Sequence, residues 1–390
     1  MIVGIPAELV SGEDRVAIVP ADVPALMKMG LQVVVEAGAG MRAGFPDAAY
    51  VERGVRTVAS RTDVYAQADI VLKVRAAGAD PGHADKERAM LRPQQLLIAF
   101  LEPLWEPRLA ASLAERGVTA MAMELIPRIS RAQSMDALSS MATVAGYKAV
   151  LIAAASMPRM FPMLMTAAGT VTPARVFVIG AGVAGLQACA TAKRLGARVE
   201  AYDVRAAVKE QVESVGAKFV ELPLETGSSE DKGGYAKALG DDFYERQRKL
   251  MAEVVARNDL VITTAAIPGK PSPVLITAEM VAGMQPGSLI VDLAAERGGN
   301  CELTRSDQII VAHNVTIIGP GNLPATVPNH ASQLYSRNLI NLLRLMVKDG
   351  KLTVNMDDEI IRESTVVHDG KVVSARINDL IGAGTPVASS

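Results

Sequence analysis

The stretch Val176-Phe177-Val178-Ile179-Gly180-Ala181-Gly182-Val183-Ala184-Gly185-Leu186 decides how the chain is read. A short β-branched and aromatic run stops at Gly180, and an alanine-rich helical pattern starts within the glycines, so the order is strand, turn, helix. In such a G-x-G-x-x-G, Gly180 permits the tight turn, Gly182 lets a pyrophosphate approach the backbone, and Gly185 lets helix and strand pack closely. The helix N-terminus then offers unpaired N–H groups and a positive dipole end to phosphates. Without context the glycines could be only a turn. Asp203 supplies context, because it ends the next strand near the ~20-residue offset at which a carboxylate accepts from the adenosine ribose hydroxyls. A carboxylate there repels a 2′-phosphate and favours NAD(H) over NADP(H). Arg205, which could accommodate that phosphate, and a plain helix-capping role for Asp203 are the alternatives.

Working outward, the strand belongs to a βαβ series: Val176–Ile179, Val199–Tyr202, Phe219–Leu222, Leu260–Thr263, Leu289–Leu293 and Thr316–Ile318. An earlier series reads Ile2–Ile5, Val33–Glu36, Ile70–Val74, Leu96–Leu101 and Val118–Met123. These runs are continuous rather than alternating, which suits parallel sheets covered on both faces. Long helical patterns run from Asp136 to about Met157, with Ser134 and Asp136 as candidate caps, and from Ala331 to Val347. Thr365–Val373 reads as a hairpin around Asp369-Gly370. The expected architecture is α/β: two Rossmann-like doubly wound parallel-sheet domains joined by long helices, the second inserted in the first. Residues 1–140 plus 331–390 form the first domain and 141–330 the nucleotide-binding one.

Composition removes several classes of function. The 390 residues carry 40 basic and 42 acidic side chains, a formal charge of -2, so no uniform field attracts nucleic acid. Cys189 and Cys301, with 4 histidines, cannot build a disulfide framework or an ordinary zinc site, and no metal is expected. The mean hydropathy of +0.22 raises the question of a membrane span, which needs about 20 apolar residues. The best run, Ala149 to Pro158, is interrupted by Arg159, and the start of the chain lacks the charge pattern of a signal peptide. The expectation is a soluble, cytoplasmic chain.

Three further features carry polar chemistry. The loop Met123 to Ser139 concentrates Arg128, Arg131, Gln133, Asp136 and Ser139 just after a strand, where ligands of open α/β sheets bind. Amide, arginine and hydroxyl groups suit the orientation of a nicotinamide; equally, Arg128 and Asp136 could form a salt bridge that caps the helix. The aperiodic segment Thr226 to Tyr235 suggests a mobile loop near 226–240 that closes over a site, or a surface loop without a role. Arg15 with Lys73 could hold a carboxylate or keto acid as a pair; singly, each reads as a solvated surface charge.

Taken together, Gly12-Glu13-Asp14-Arg15-Val16-Ala17, the Arg128-to-Ser139 segment, Met165-Thr166-Ala167-Ala168-Gly169-Thr170-Val171, the glycine turn, Asp203-Val204-Arg205-Ala206-Ala207 and Thr263-Thr264-Ala265-Ala266-Ile267-Pro268-Gly269-Lys270 resemble one family over nearly the whole chain. It is the NAD(H)-binding α1 component, or domain I, of proton-translocating nicotinamide nucleotide transhydrogenase, the Re/Si-specific kind. The resemblance implies direct hydride transfer from NADH to NADP⁺, the latter held on a partner β subunit. It also implies a membrane-embedded α2 subunit, a homodimer, and a peripheral place on the inner face of the cytoplasmic membrane. Carried over, Arg128, Asp136 and Ser139 would orient the nicotinamide carboxamide, and Gln133 would bridge toward the second nucleotide. Val183, Asp203, Val204, Arg205, Gly234 and Ala266 would line the NAD site, with Gly180, Gly182 and Gly185 at its turn and Tyr235 on the mobile loop.

The rival is alanine dehydrogenase, the sister family, which shares Arg15 and Lys73. Its chemistry needs an acid/base near neutral pH, supplied there by histidine. The equivalent stretch here, Ala99-Phe100-Leu101-Glu102-Pro103, has none, and His83 sits in a polar loop where a solvated role is expected.

Overall fold

The computed structural model describes residues 1–223 and 241–382. The chain divides into two compact units, Met1–Met141 with Ala325–Ser390, and Ala142–Pro324. The helix Ala137–Ser156 carries the chain from the first into the second.

The first unit is built on an eight-stranded sheet. Its spatial order is Lys371–Val372, Thr365–His368, Thr119–Ala122, Leu96–Phe100, Ile70–Arg75, Ile2–Ile5, Gln32–Glu36 and Arg56–Val58. The six strands from Thr119–Ala122 to Arg56–Val58 pair in parallel. Thr365–His368 joins antiparallel beside Thr119–Ala122, so the sheet is mixed rather than purely parallel. The expected hairpin forms there, with Asp369 and Gly370 both at positive φ, 46° and 74°. Both-positive φ is the geometry of a type I′ turn, whose twist matches the flanking strands.

The second unit holds a seven-stranded sheet in the order Lys218–Phe219, Arg198–Tyr202, Arg175–Ile179, Leu260–Thr263, Leu289–Asp292, Val315–Gly319 and Gln308–Ala312. All pairings are parallel except the last, an antiparallel edge strand that the sequence reading omits. Continuous apolar runs are explained by two cores on opposite faces. Val176, Val178, Leu260, Ile262 and Val291 enter one cluster, while Phe177, Ile179, Val261, Ile290 and Ile317 enter the other. Strand side chains alternate in direction, so a strand covered on both faces leaves no position for a solvated polar side chain. Ala149, Val150 and Ala153 of the long helix close the first of these cores. A separate two-stranded hairpin, Leu164–Thr166 with Gly169–Val171, lies in the segment that sequence marks only by its prolines and glycines.

One expectation needs correction. Among the described residues the helix Ala137–Ser156 is long and apolar enough to cross a membrane by length and composition. The apolar stretch starts well before Ala149, because Lys148 is the one charge in that helix. Its buried side chains are core residues, and a core helix passes the same test as a span.

Candidate functional site

In the second unit the strand Arg175–Ile179 ends at Gly180, whose φ of +95° is the left-handed region that favours glycine. The turn delivers the chain into the helix Val183–Arg194. A Cβ on Gly185 would stand 1.8 Å from the Gly180 carbonyl oxygen, so only glycine lets this helix start so near its strand. Gly182 differs, since a Cβ there would meet nothing nearer than the Arg205 Nη2 at 3.9 Å. That backbone faces open space, the condition for a phosphate to approach the first N–H groups of a helix. Val183, 37% exposed, flanks it.

Asp203 follows the strand Arg198–Tyr202 and is buried. Its Oδ2 accepts from the Ala181 N–H at 2.8 Å, which ties the carboxylate to the glycine turn. Arg205 donates through its backbone N–H and Nε to Oδ1, both at 2.9 Å, and through Nη2 to Oδ2 at 2.9 Å. Val204 between them is half-buried.

The neighbouring strand Leu260–Thr263 brings Ala266, exposed, to the same sheet end. Thr264 Oγ1 donates to the Gly180 carbonyl at 2.9 Å. Ala265 is held by a buried amide: its N–H donates to Asn300 Oδ1, and Asn300 Nδ2 donates to the Ala265 and Pro273 carbonyls, each at 2.9 Å. Asn300 is fixed in turn by Asp292, fully buried, whose Oδ2 accepts from the Asn300 and Cys301 N–H groups and Thr304 Oγ1. Asp292 Oδ1 accepts from Thr263 Oγ1 and the Ala294 N–H. A buried carboxylate must find partners, and five donors meet that need. Sequence reading misses this network by running a strand through Asp292; a charged residue inside an apolar strand is the signal. Gly146 is also missed. Its Cβ would come 2.1 Å from the Ala184 carbonyl, so glycine is required where the long helix passes the nucleotide turn.

In the first unit the loop after Thr119–Ala122 brings Arg128, Asp136 and Ser139 together. Asp136 caps the long helix: Oδ1 accepts from the Ser139 N–H at 2.8 Å and Oδ2 from Ser139 Oγ at 2.6 Å. Of the two candidate caps, Asp136 makes this bond, while the Ser134 carbonyl accepts from Asn338 and Asn341. Arg128 Nε stands 3.9 Å from Asp136 Oδ2, a loose ion pair with the guanidinium 30% exposed. Gln133 is exposed on the turn Ser130–Met135. Arg131 closes the loop's outer side through two bonds to Asp358, 2.7 and 3.0 Å.

The same unit holds buried charges. Arg15 and Lys73 are not the solvated cations that sequence suggests, being 4% and 0% exposed. Arg15 meets Glu13 through Nε at 2.7 Å and Nη2 at 2.6 Å, and Lys73 pairs with Glu87 and, at 3.8 Å, with Glu8. Folding places internal carboxylates on both, which no spacing rule reveals. Burial raises Glu8 to about 7 against the opposing pull of Lys73. Glu124 is pushed up to about 8, first by burial and then by the neighbouring Glu102 carboxylate. His83 is partly exposed and bonded through Nδ1 to Asp80 at 2.8 Å.

The structure therefore gathers Gly180, Gly182, Val183, Gly185, Asp203, Val204 and Arg205 around one turn, with Ala266 at the adjoining strand end, and Arg128, Asp136 and Ser139 around one helix start. Gly234, Tyr235 and the whole 226–240 segment lie outside the described residues. Among the described residues no group of three or more His, Cys, Asp or Glu side chains could hold a metal.

Known proteins share this arrangement. The family described as alanine dehydrogenase/PNT, N-terminal domain, matches residues 4–145, and its C-terminal counterpart matches 149–375. The chain is 48% identical over 377 residues to the separate first segment of the NAD(P) transhydrogenase alpha subunit of Rhodospirillum rubrum, covering 96% of this chain and 98% of that protein. With alanine dehydrogenase of Bacillus subtilis the identity is 30% over 387 residues, covering 95% and 92%. The crystal structure of transhydrogenase from Sinorhizobium meliloti superposes with a TM-score of 0.84 at 44% identity, over 96% of this chain and 100% of that one.

Proposed function

The chain belongs to the alanine dehydrogenase/PNT family, and from that premise we propose that it is the NAD(H)-binding α1 component of a Re/Si-specific, proton-translocating transhydrogenase. The observation that carries this is the 48% identity to a transhydrogenase alpha segment along almost the full length of both chains, against 30% to an alanine dehydrogenase. The site chemistry agrees. Reduction of a keto acid needs a proton donor, and the segment Ala99 to Pro103 has no histidine to supply one. Transfer between two nicotinamides needs none; the protein has to orient the ring and exclude water.

The residues fit a dinucleotide. The open backbone at Gly182 and the first turn of the helix Val183–Arg194 would hold the pyrophosphate, and Asp203 the adenosine ribose. Bound NADH supplies the hydride. Arg128, with Asp136 and Ser139 already bonded to each other, would orient the carboxamide, while exposed Gln133 would reach toward NADP(H) on the partner β subunit. An α2 subunit would provide the membrane element and place this chain at the inner face of the cytoplasmic membrane.

A homodimer is part of the reading. Among the described residues the Leu164–Val171 hairpin pairs with no other strand, and Met163 and Met165 are 55% and 77% exposed. A lone two-stranded hairpin is marginal in water. It carries no charge, so a second copy can cover it without like-charge repulsion.

The test mixes the purified chain with an NADP(H)-binding β-subunit domain and follows hydride transfer from NADH to NADP⁺. Transfer supports the reading. Its absence, with NADH formed instead from L-alanine and NAD⁺, assigns the chain to substrate dehydrogenation.

A further inference from the structure

The Glu124 side chain has no place in the chemistry above, yet it joins two parts of the first unit. Its Oε1 accepts from the N–H groups of Leu101, at 2.8 Å, and Glu102, at 2.5 Å. These amides immediately follow the strand Leu96–Phe100. Glu124 itself stands four positions before Arg128 on the chain that becomes the site loop. One carboxyl group thus pins that loop's start to the end of the adjacent strand. The pinned segment is unusual, since Glu102 has a φ of +49°, in the left-handed region that a glutamate rarely adopts. Two N–H bonds to one oxygen hold it there.

The second carboxyl oxygen, Oε2, is buried without a hydrogen-bond partner. An ionised carboxylate in that position would carry unsolvated charge beside a second glutamate. The groups facing it do not relieve this. From the strand end comes Glu102, of the same sign. From the helix Pro328–Met346 comes Tyr335, a phenol raised by burial and by Glu124 itself, with its hydroxyl spent on the Lys73 carbonyl at 2.8 Å. From the helix Glu359–Ser364 come Ile360 and Ile361, with Glu359, Arg362 and Glu363 exposed. At that helix's start Asp358 is bonded to Arg131.

We propose that Glu124 is a positioning residue that fixes the Arg128–Ser139 loop by clamping it to the Leu101–Glu102 backbone, and that it does so as the neutral acid with its proton on Oε2. Its value of about 8 agrees with this. Losing the proton forces charge into the buried position, and the clamp opens. The consequence for hydride transfer rests on the function proposed above; the clamp itself does not.

The experiment titrates the full chain, labelled with ¹³C at glutamate carboxyls and ¹⁵N at backbone amides, from pH 5 to 10. One carboxyl signal should titrate well above pH 7, vanish in Glu124→Gln, and move its midpoint down by about one pH unit or more in Glu102→Gln, which removes the like charge. Amide signals of residues 128–139 should follow the same midpoint in the wild type and lose that dependence in Glu124→Gln. With the β-subunit domain present, hydride transfer should fall above the midpoint, about tenfold per pH unit at first, and this limb should vanish in Glu124→Gln. Glu124→Ala should cut the rate about tenfold or more at every pH while the NADH dissociation constant stays within about twofold. An ordinary midpoint below pH 5, or loop amides that ignore the Glu124 titration, overturns the proposal. Loop amides that follow it in a protein showing no transfer uphold the clamp and sink the transhydrogenase reading.

Discussion

The Arg205 guanidinium sits on the Asp203 carboxylate, Nε on Oδ1 and Nη2 on Oδ2, both at 2.9 Å. With the Ala181 and Arg205 N–H groups also bonded, the roughly four acceptor positions of the carboxylate are filled. A ribose diol can bind Asp203 only by sharing or displacing Arg205. Asp203→Asn should therefore lower NADH affinity about tenfold or more, the scale of a lost charge-assisted hydrogen bond. Fluorescence titration with NADH measures it, and an unchanged dissociation constant removes Asp203 from the ribose contact.

Gln133 is exposed on its turn, where its side chain braces no other element among the described residues, so its removal should spare the fold. In Gln133→Ala the single-turnover transfer rate should fall by about tenfold or more while NADH affinity holds, because misplacement at the reacting centre costs rate rather than binding. A large loss of affinity would assign Gln133 to ground-state binding instead.

Asp292 accepts five bonds in a fully buried place, and Asn300 transmits them to Ala265. Asp292→Ala should cost about 3 kcal/mol or more in urea unfolding, since several buried donors lose their acceptor together. Asn300→Ala should cost less stability yet still weaken NADH binding, by freeing the loop that carries Ala266. If both variants bind NADH like wild type, the network is purely structural.

The buried acids set a pH trend. Folded Glu8 and Glu124 lie at about 7 and about 8 against a reference of 4.5, so between these values the folded chain holds more protons than the unfolded one. Stability then falls as pH rises through that window. Asp358 acts oppositely: the Arg131 hydrogen bond lowers its pKa, so its contribution is lost as acid titrates it. Thermal unfolding should give a higher midpoint near pH 5 to 6 than at pH 9. A flat profile, or one rising to pH 9, contradicts the assignment of both glutamates.

Most of the sheet order is legible in the sequence because parallel strands covered on both faces must be apolar throughout. The strand Ile2–Ile5 can be placed to the residue, and the long helix to within one at each end. The edge strand Gln308–Ala312 escapes because its turn is His313-Asn314, both at positive φ, 52° and 62°, with no glycine to announce it. The glycine turn and Asp203 are visible as a motif with a fixed offset. What stays hidden is burial of charge. Arg15, Lys73, Glu124 and Asp292 look like any surface residue in the sequence, since their partners come from segments that only folding assembles.

The mixed sheet of the first unit has a temporal consequence. Thr119–Ala122 is flanked on one side by Leu96–Phe100, already made, and on the other by Thr365–His368. A ribosome delivers that second neighbour about 240 residues later, some 12 to 50 seconds at ordinary elongation rates. For that interval a fully buried strand of the finished fold stands as an open edge, the kind of surface that recruits foreign strands. The nascent chain thus reaches its most aggregation-prone stage while its nucleotide-binding unit is being synthesised, and chaperone demand should peak there.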